Sequence, residues 1–94
     1  MSPGGEPIRR HLLISGRVQG VGFRWSCRRM AEAQGVSGWC RNLPDGRVEA
    51  VFEGRPEAVA ALAVWCERGP GYAHVTGTKV TDEDPIGETS FRIV

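Results

Sequence analysis

No stretch of this sequence approaches the roughly 18 consecutive apolar residues that a membrane span requires. The opening Met1-Ser2-Pro3-Gly4-Gly5-Glu6-Pro7 has no basic patch followed by an apolar run. No membrane partner and no leader peptide are therefore read, and a cytoplasmic location is the expectation. Charge of one sign is missing too. Twelve Lys+Arg face 11 Asp+Glu, a formal net charge of +1, which supplies no broad field to recruit nucleic acid, so any anion site has to be local. Cysteine is scarce: Cys27, Cys40 and Cys66 are an odd, scattered set without the close pairings of zinc or dithiol redox sites. They are read as reduced structural thiols. A nucleophilic Cys would need a basic partner, and nothing places His11 or His74 beside one. No His, Asp or Glu cluster has metal-ligand spacing, and Asp82-Glu83-Asp84 reads as a solvated turn rather than a Mg²⁺ site. Neither metal nor cofactor is expected, and there is no internal repeat.

What is present suits one ordinary domain. Ninety-four residues with 40% hydrophobic and 24% charged content allow a single core and exclude both disorder and two independent cores. Residues 1–7, rich in Pro and Gly, read as a loose tail, and 8–94 as the domain. From Arg9 to Ser15 a short run with an apolar centre predicts a strand. After three glycines between Gly16 and Gly22, Phe23, Cys27, Met30 and Ala31 mark one face of a helix that Gly35 is placed to end. Val36 to Leu43 and Arg47 to Glu53 read as the arms of a hairpin turning at Pro44-Asp45-Gly46. In the second arm Val48, Ala50 and Phe52 alternate with Arg47, Glu49 and Glu53, which predicts one packed and one largely wet face. Pro56 opens a second helix with an Ala58, Val59, Leu62, Trp65, Cys66 stripe, stopped at Gly69-Pro70-Gly71. His74 to Thr81 and Phe91 to Val94 are the remaining strands. The order is that of the α+β, ferredoxin-like split βαβ sandwich (βαββαβ), a mainly antiparallel sheet with two helices on one face. Such a fold says little about function.

Function is signalled by the turn from Gln19 to Arg24. Gly20 and Gly22 permit unusual torsions and close backbone approach, and the turn feeds a helix N-terminus, where successive N–H groups can form an anion nest. Arg24 in the first helical turn adds a planar cation able to grip two phosphate oxygens, which Lys cannot. The loop lacks the Gly-Lys-Ser/Thr ending of a Walker motif and the glycine spacing of a dinucleotide fingerprint. Read alone, these glycines could equally serve only a tight turn, and Arg24 only a solvated helix face.

Two motifs then resemble the acylphosphatase family, across nearly all of Arg9 to Val94. The first is Gly16-Arg17-Val18-Gln19-Gly20-Val21-Gly22-Phe23-Arg24; the second is Gly38-Trp39-Cys40-Arg41-Asn42-Leu43-Pro44-Asp45-Gly46-Arg47-Val48-Glu49. The Trp65…Gly69-Pro70 helix exit and the closing Phe91-Arg92-Ile93 match as well. The resemblance implies hydrolysis of the carboxyl-phosphate bond of small acyl phosphates to a carboxylate and inorganic phosphate. The phosphate would be held by Gln19, Gly20, Val21, Gly22, Phe23 and Arg24, with Asn42 orienting water. Cys40, where such proteins more often have Val, falls on the same strand face as Asn42 and reads as packing.

Because the leaving group is a carboxylate, strong acid catalysis is unnecessary, and a metal-free mechanism based on positioning and preorganised donors is expected. A nucleic-acid module shares the element order, but it needs stacking aromatics on central strands, and Arg47 to Glu53 offers only Phe52. A sensing or accessory domain, of the kind found within larger carbamoyl-transfer maturation proteins, is the other alternative. The charged faces predict a monomer.

Overall fold

The computed structural model describes residues 5–94. Seven elements follow in order: β1 (Ile8–Arg17), α1 (Phe23–Gln34), β2 (Ser37–Asn42), β3 (Val48–Gly54), α2 (Pro56–Cys66), β4 (His74–Glu83) and β5 (Phe91–Ile93). They form one sheet of order β4-β1-β3-β2-β5. Every pairing is antiparallel except β2 with β5. This is the expected ferredoxin-like sandwich, with the short last strand added beyond β2. Of the expected tail, residues 1–4 lie outside the described residues, and Gly5 to Pro7 belong to no helix or strand.

The core lies where the period-2 pattern of the strands meets the period-3.6 pattern of the helices. Leu12 and Ile14 of β1, Cys40 of β2, Val48, Ala50 and Phe52 of β3 and Phe91 of β5 pack under Phe23, Cys27 and Ala31 of α1 and Val59, Leu62 and Cys66 of α2. The Phe52 and Phe91 rings stack at 5.8 Å, which fastens the edge strand β5 to the central β3. Cutting Phe52 back to Ala is expected to cost roughly 4 kcal/mol.

Local signals set the ends of the elements. Gly35 adopts the left-handed conformation (φ 69°), and the N–H groups of Gly35 and Val36 return to the carbonyls of Glu32 and Ala31 at 3.2 and 2.8 Å, which closes α1. Pro56 sits in the first turn of α2, where its missing N–H costs nothing. Gly69 (φ +72°) lets the chain leave α2 tightly against α1, since a Cβ there would lie 2.7 Å from Cε2 of Phe23.

Three sequence expectations are corrected. Strand β1 runs to Arg17 rather than Ser15, through a register shift at Ser15/Gly16. Gly16 permits it, because a Cβ at that position would collide with the carbonyl oxygen of His74. Asp82 and Glu83 belong to β4 rather than to a turn, and both are paired: Asp82 with Arg10 at 3.1 Å and Glu83 with Arg9 at 2.8 Å.

The face of β3 away from the helices is also not largely wet, for Val51 and Glu53 are buried. The cause is topological. Strands β4 and β5 occupy opposite edges, so residues 84–90 must cross the sheet. The Glu53 carboxylate accepts the N–H groups of Ile86, Gly87 and Glu88 at 2.8–2.9 Å as they pass. Arg9, itself buried, then bridges Glu53, Glu83 and Glu88 at 3.2, 2.8 and 3.0 Å.

Candidate active site

The loop between β1 and α1 is pinned at both ends by core side chains, Val18 before it and Phe23 after it. The Phe23 ring lies 5.3 Å from that of Trp65 on α2. Between the pins, Gly20 (φ +72°) and Gly22 (φ +77°) are left-handed. A Cβ at either would meet nothing within 4 Å. Torsion rather than crowding therefore calls for glycine there, and the space above the loop is open.

Gly22 is the N-cap of α1 and no side chain caps the helix. The carbonyl of Gly22 accepts the N–H of Ser26 at 3.0 Å. Among the described residues, the N–H groups from Gly20 to Trp25 meet no protein acceptor. They are the unsatisfied donors of a helix start, carrying the positive end of its dipole, and an anion is their natural partner.

Arg24 stands in that first turn, half-buried. Elsewhere Arg9, Arg10, Arg28, Arg41, Arg47, Arg55 and Arg92 each pair with a carboxylate. Arg24 has no such partner among the described residues. A half-buried guanidinium without a counter-ion beside a row of unpaired amides is a positive corner built into one end of the helix layer.

Strand β2 forms the other wall. Cys40, fully buried, directs its Sγ–H to the carbonyl oxygen of Arg24 at 3.8 Å, which places the start of α1 against this strand. Asn42 lies two residues further along and on the same face, at the last paired position with Val48 of β3. Its Oδ1 is buried and has no hydrogen-bond partner among the described residues. Leaving such an acceptor unpaired costs about 1–3 kcal/mol, and native structures do this rarely outside functional sites.

Gln19 connects the two walls. Its side-chain amide donates to the carbonyls of Leu43 and Arg47 at 2.8 and 3.0 Å. The hairpin turn it grips is itself closed by Leu43 N–H to Arg47 O at 2.8 Å and Gly46 N–H to Leu43 O at 3.1 Å. Asp45 takes the Arg47 N–H at 3.1 Å and its Nε at 2.8 Å, and the backbone bond from Arg47 is the main reason the Asp45 carboxyl sits below its ordinary range. Both side-chain donors of Gln19 are thus taken by the strut, and Phe23 is buried, so toward an anion each has only its backbone to offer.

A cavity of about 180 Å³ opens over this corner, and Gly20, Gly22, Arg24, Trp25 and Ile93 help to wall it. Neither Trp25 nor Ile93 is among the site residues expected from the sequence. One signal was present: Trp25 falls off the Phe23, Cys27, Met30, Ala31 stripe while adjoining Arg24.

The scattered cysteines meet in the core. Cys27 of α1 contacts both Cys40 of β2 and Cys66 of α2, and all three are fully buried. For Cys40, contact with Cys27 and then burial push the thiol far up. For Cys27, contact with Cys40 acts downward, but Cys66 and burial together leave it well above its ordinary value. Neither Cys27 nor Cys40 offers a thiolate in this arrangement. Among the described residues no group of three or more His, Cys, Asp or Glu is disposed to hold a metal ion, and no helix is long and apolar enough to cross a membrane.

Comparison with known proteins identifies the family. The Acylphosphatase family profile matches residues 10–93. The chain is 58% identical to an acylphosphatase of Thermococcus kodakarensis over 87 residues, covering 93% of this chain and 96% of that one. It superposes on an acylphosphatase from Coxiella burnetii with TM-score 0.90 and 34% identity, over 94% and 93% of the two chains. HypF from T. kodakarensis is similar to it as well, with TM-score 0.80 and 29% identity over 93% of this chain but only 12% of that one. By sequence and by structure, the chain belongs to the acylphosphatase family, hydrolases of the carboxyl-phosphate bond.

Proposed function

We propose that in this chain the N–H groups from Gly20 to Arg24 and the Arg24 guanidinium hold the phosphoryl group of a small acyl phosphate, while Asn42 orients the attacking water, with no metal ion taking part. The observation that carries the assignment is the buried Oδ1 of Asn42, without a partner among the described residues, on the strand face whose Cys40 touches the Arg24 carbonyl at the start of α1. An acceptor at that place suits a water hydrogen.

In the reaction, water oxygen bonds to phosphorus and the bond from phosphorus to the bridging oxygen breaks, its electron pair leaving with the carboxylate. The proton that water sheds passes to a phosphate oxygen. A carboxylate leaves without prior protonation, so the side chains have two tasks: to offset charge on the phosphoryl oxygens and to fix the line of attack. Arg24 and the amides perform the first, because they are donors only and already aimed. Asn42 performs the second, for an amide oxygen directs water without taking its proton away. Gln19 contributes by holding the two walls in register.

The enzyme is further proposed to act as a cytoplasmic monomer without nucleic-acid partners. A net charge of +1 and exposed apolar residues spread over two helices and two loops, Trp25, Val64, Tyr72 and Ile86, support that reading. Light scattering at working concentration tests the monomer.

The functional assignment is tested by following phosphate release from benzoyl phosphate in the presence of EDTA. Undiminished turnover is expected. A loss restored by Mg²⁺ or Zn²⁺ contradicts the metal-free reading.

A further inference from the structure

We propose that Trp25 is the wall of an acyl-group subsite that favours aromatic and bulky apolar acyl phosphates over acetyl phosphate. The inference rests on the phosphate-holding role given above to the loop and Arg24. Its starting observation is that one cavity is walled both by Gly20, Gly22 and Arg24 and by Trp25 and Ile93. The polar end and the apolar end of a single substrate can therefore be met together.

Bond lengths make the pairing specific. In an acyl phosphate only the bridging oxygen separates phosphorus from the carbonyl carbon, so with the phosphoryl group on the loop amides the acyl group begins next to Arg24. Trp25 is the following residue of α1, and its indole is 59% exposed. Ile93 of β5, partly buried against the core, lines the same cavity.

The ring is also held in place. Arg29, one turn further along α1, sets its guanidinium 4.8 Å from the Trp25 ring centroid. A cation over one part of the ring restrains its rotamers before substrate arrives, which lowers the ordering cost of binding. The indole can then meet an aromatic acyl group by offset stacking or edge-to-face contact. An acetyl group is too small to use that surface.

The test compares kcat/KM for benzoyl phosphate and acetyl phosphate in the wild type, Trp25→Ala, Trp25→Phe and Arg29→Ala, with far-UV circular dichroism on each preparation. Trp25→Ala is expected to lower kcat/KM for benzoyl phosphate roughly tenfold, mostly through KM, and that for acetyl phosphate less than about twofold. Trp25→Phe is expected to recover most of the loss, and Arg29→Ala to show a smaller loss of the same kind. A folded Trp25→Ala enzyme that loses both substrates in parallel, or keeps benzoyl phosphate unchanged, overturns the subsite. Arg24→Lys run alongside separates this from failure of the site itself: should that variant turn over both substrates normally, the phosphate assignment is what fails.

Discussion

The side-chain amide of Gln19 donates to the carbonyl oxygen of Leu43 at 2.8 Å, fastening the loop before α1 to the strand end that carries Asn42. The same nitrogen reaches Arg47 O at 3.0 Å. Gln19→Ala removes both bonds, each worth about 1 kcal/mol net, while Leu43 O and Arg47 O keep the backbone donors Gly46 N–H and Leu43 N–H, so a loss of about 2 kcal/mol and a fall in Tm of roughly 10 °C are expected. Catalysis should suffer beyond the loss of folded enzyme, because the two walls of the site are no longer held in register. A thermal melt and kcat at a temperature where the variant is fully folded check this. Unchanged values for both would mean the strut is idle.

For Arg24, the expected behaviour follows from shape rather than charge. Arg24→Lys keeps one positive charge but loses the planar fork, so turnover should nearly vanish and inorganic phosphate bind more weakly. Stability should hardly move, since the guanidinium has no carboxylate partner among the described residues to lose. Isothermal titration with phosphate, beside benzoyl phosphate kinetics, gives the readout.

Much of this architecture can be read from the residues. Glycine positions with Phe23, Cys27, Met30 and Ala31 locate α1, and Asp45-Gly46 locates the hairpin, because torsion and periodicity are local properties that a short window records. Glu53 shows the limit. Its neighbours mark it as facing solvent, yet it is buried because the 84–90 connection must cross from one sheet edge to the other, a consequence of strand order rather than of any window. Gln19 shows a similar limit: its motif suggests a ligand contact, while its amide is taken by a hairpin 24 residues away. Cys27, Cys40 and Cys66 likewise meet only after three elements have packed.

Glu53 also governs behaviour in acid. Burial alone would raise its carboxyl, but the N–H groups of Ile86, Glu88 and Gly87, together with Arg9, hold it below the ordinary 4.5. A depressed folded value means stability that is present above pH 4.5 and lost as pH falls through the folded value. Glu53→Ala is expected to cost about 3 kcal/mol at pH 7, chiefly by stranding three N–H groups, since Arg9 keeps Glu83 and Glu88. Urea midpoints for Glu53→Gln should approach those of the wild type as pH falls from 4.5 through the folded value of Glu53. A constant gap across the range would rule out this linkage.

The three core thiols are expected to be inert under native conditions. With Cys27 and Cys40 shifted upward, iodoacetamide at pH 7.5 should leave activity intact and label all three cysteines only after unfolding in urea. The raised values of Cys27 and Cys40 also mean stability that is complete below the unfolded thiol value near 9.0 and declines as pH rises beyond it. Mass spectrometry of the native, alkylated protein shows whether any thiol is reached.

Asn42→Ala tests the division of labour most directly, because it removes the water acceptor and leaves the amides and Arg24 in place. The measurement is kcat with benzoyl phosphate beside the phosphate Kd, on one preparation whose fold is verified by far-UV circular dichroism. A fall in kcat on the order of 10²–10³-fold with phosphate affinity essentially preserved is expected for an interaction made in the transition state. Loss of phosphate affinity as severe as in Arg24→Lys, in a folded protein, would instead make Asn42 part of the anion cradle and contradict its role in directing water.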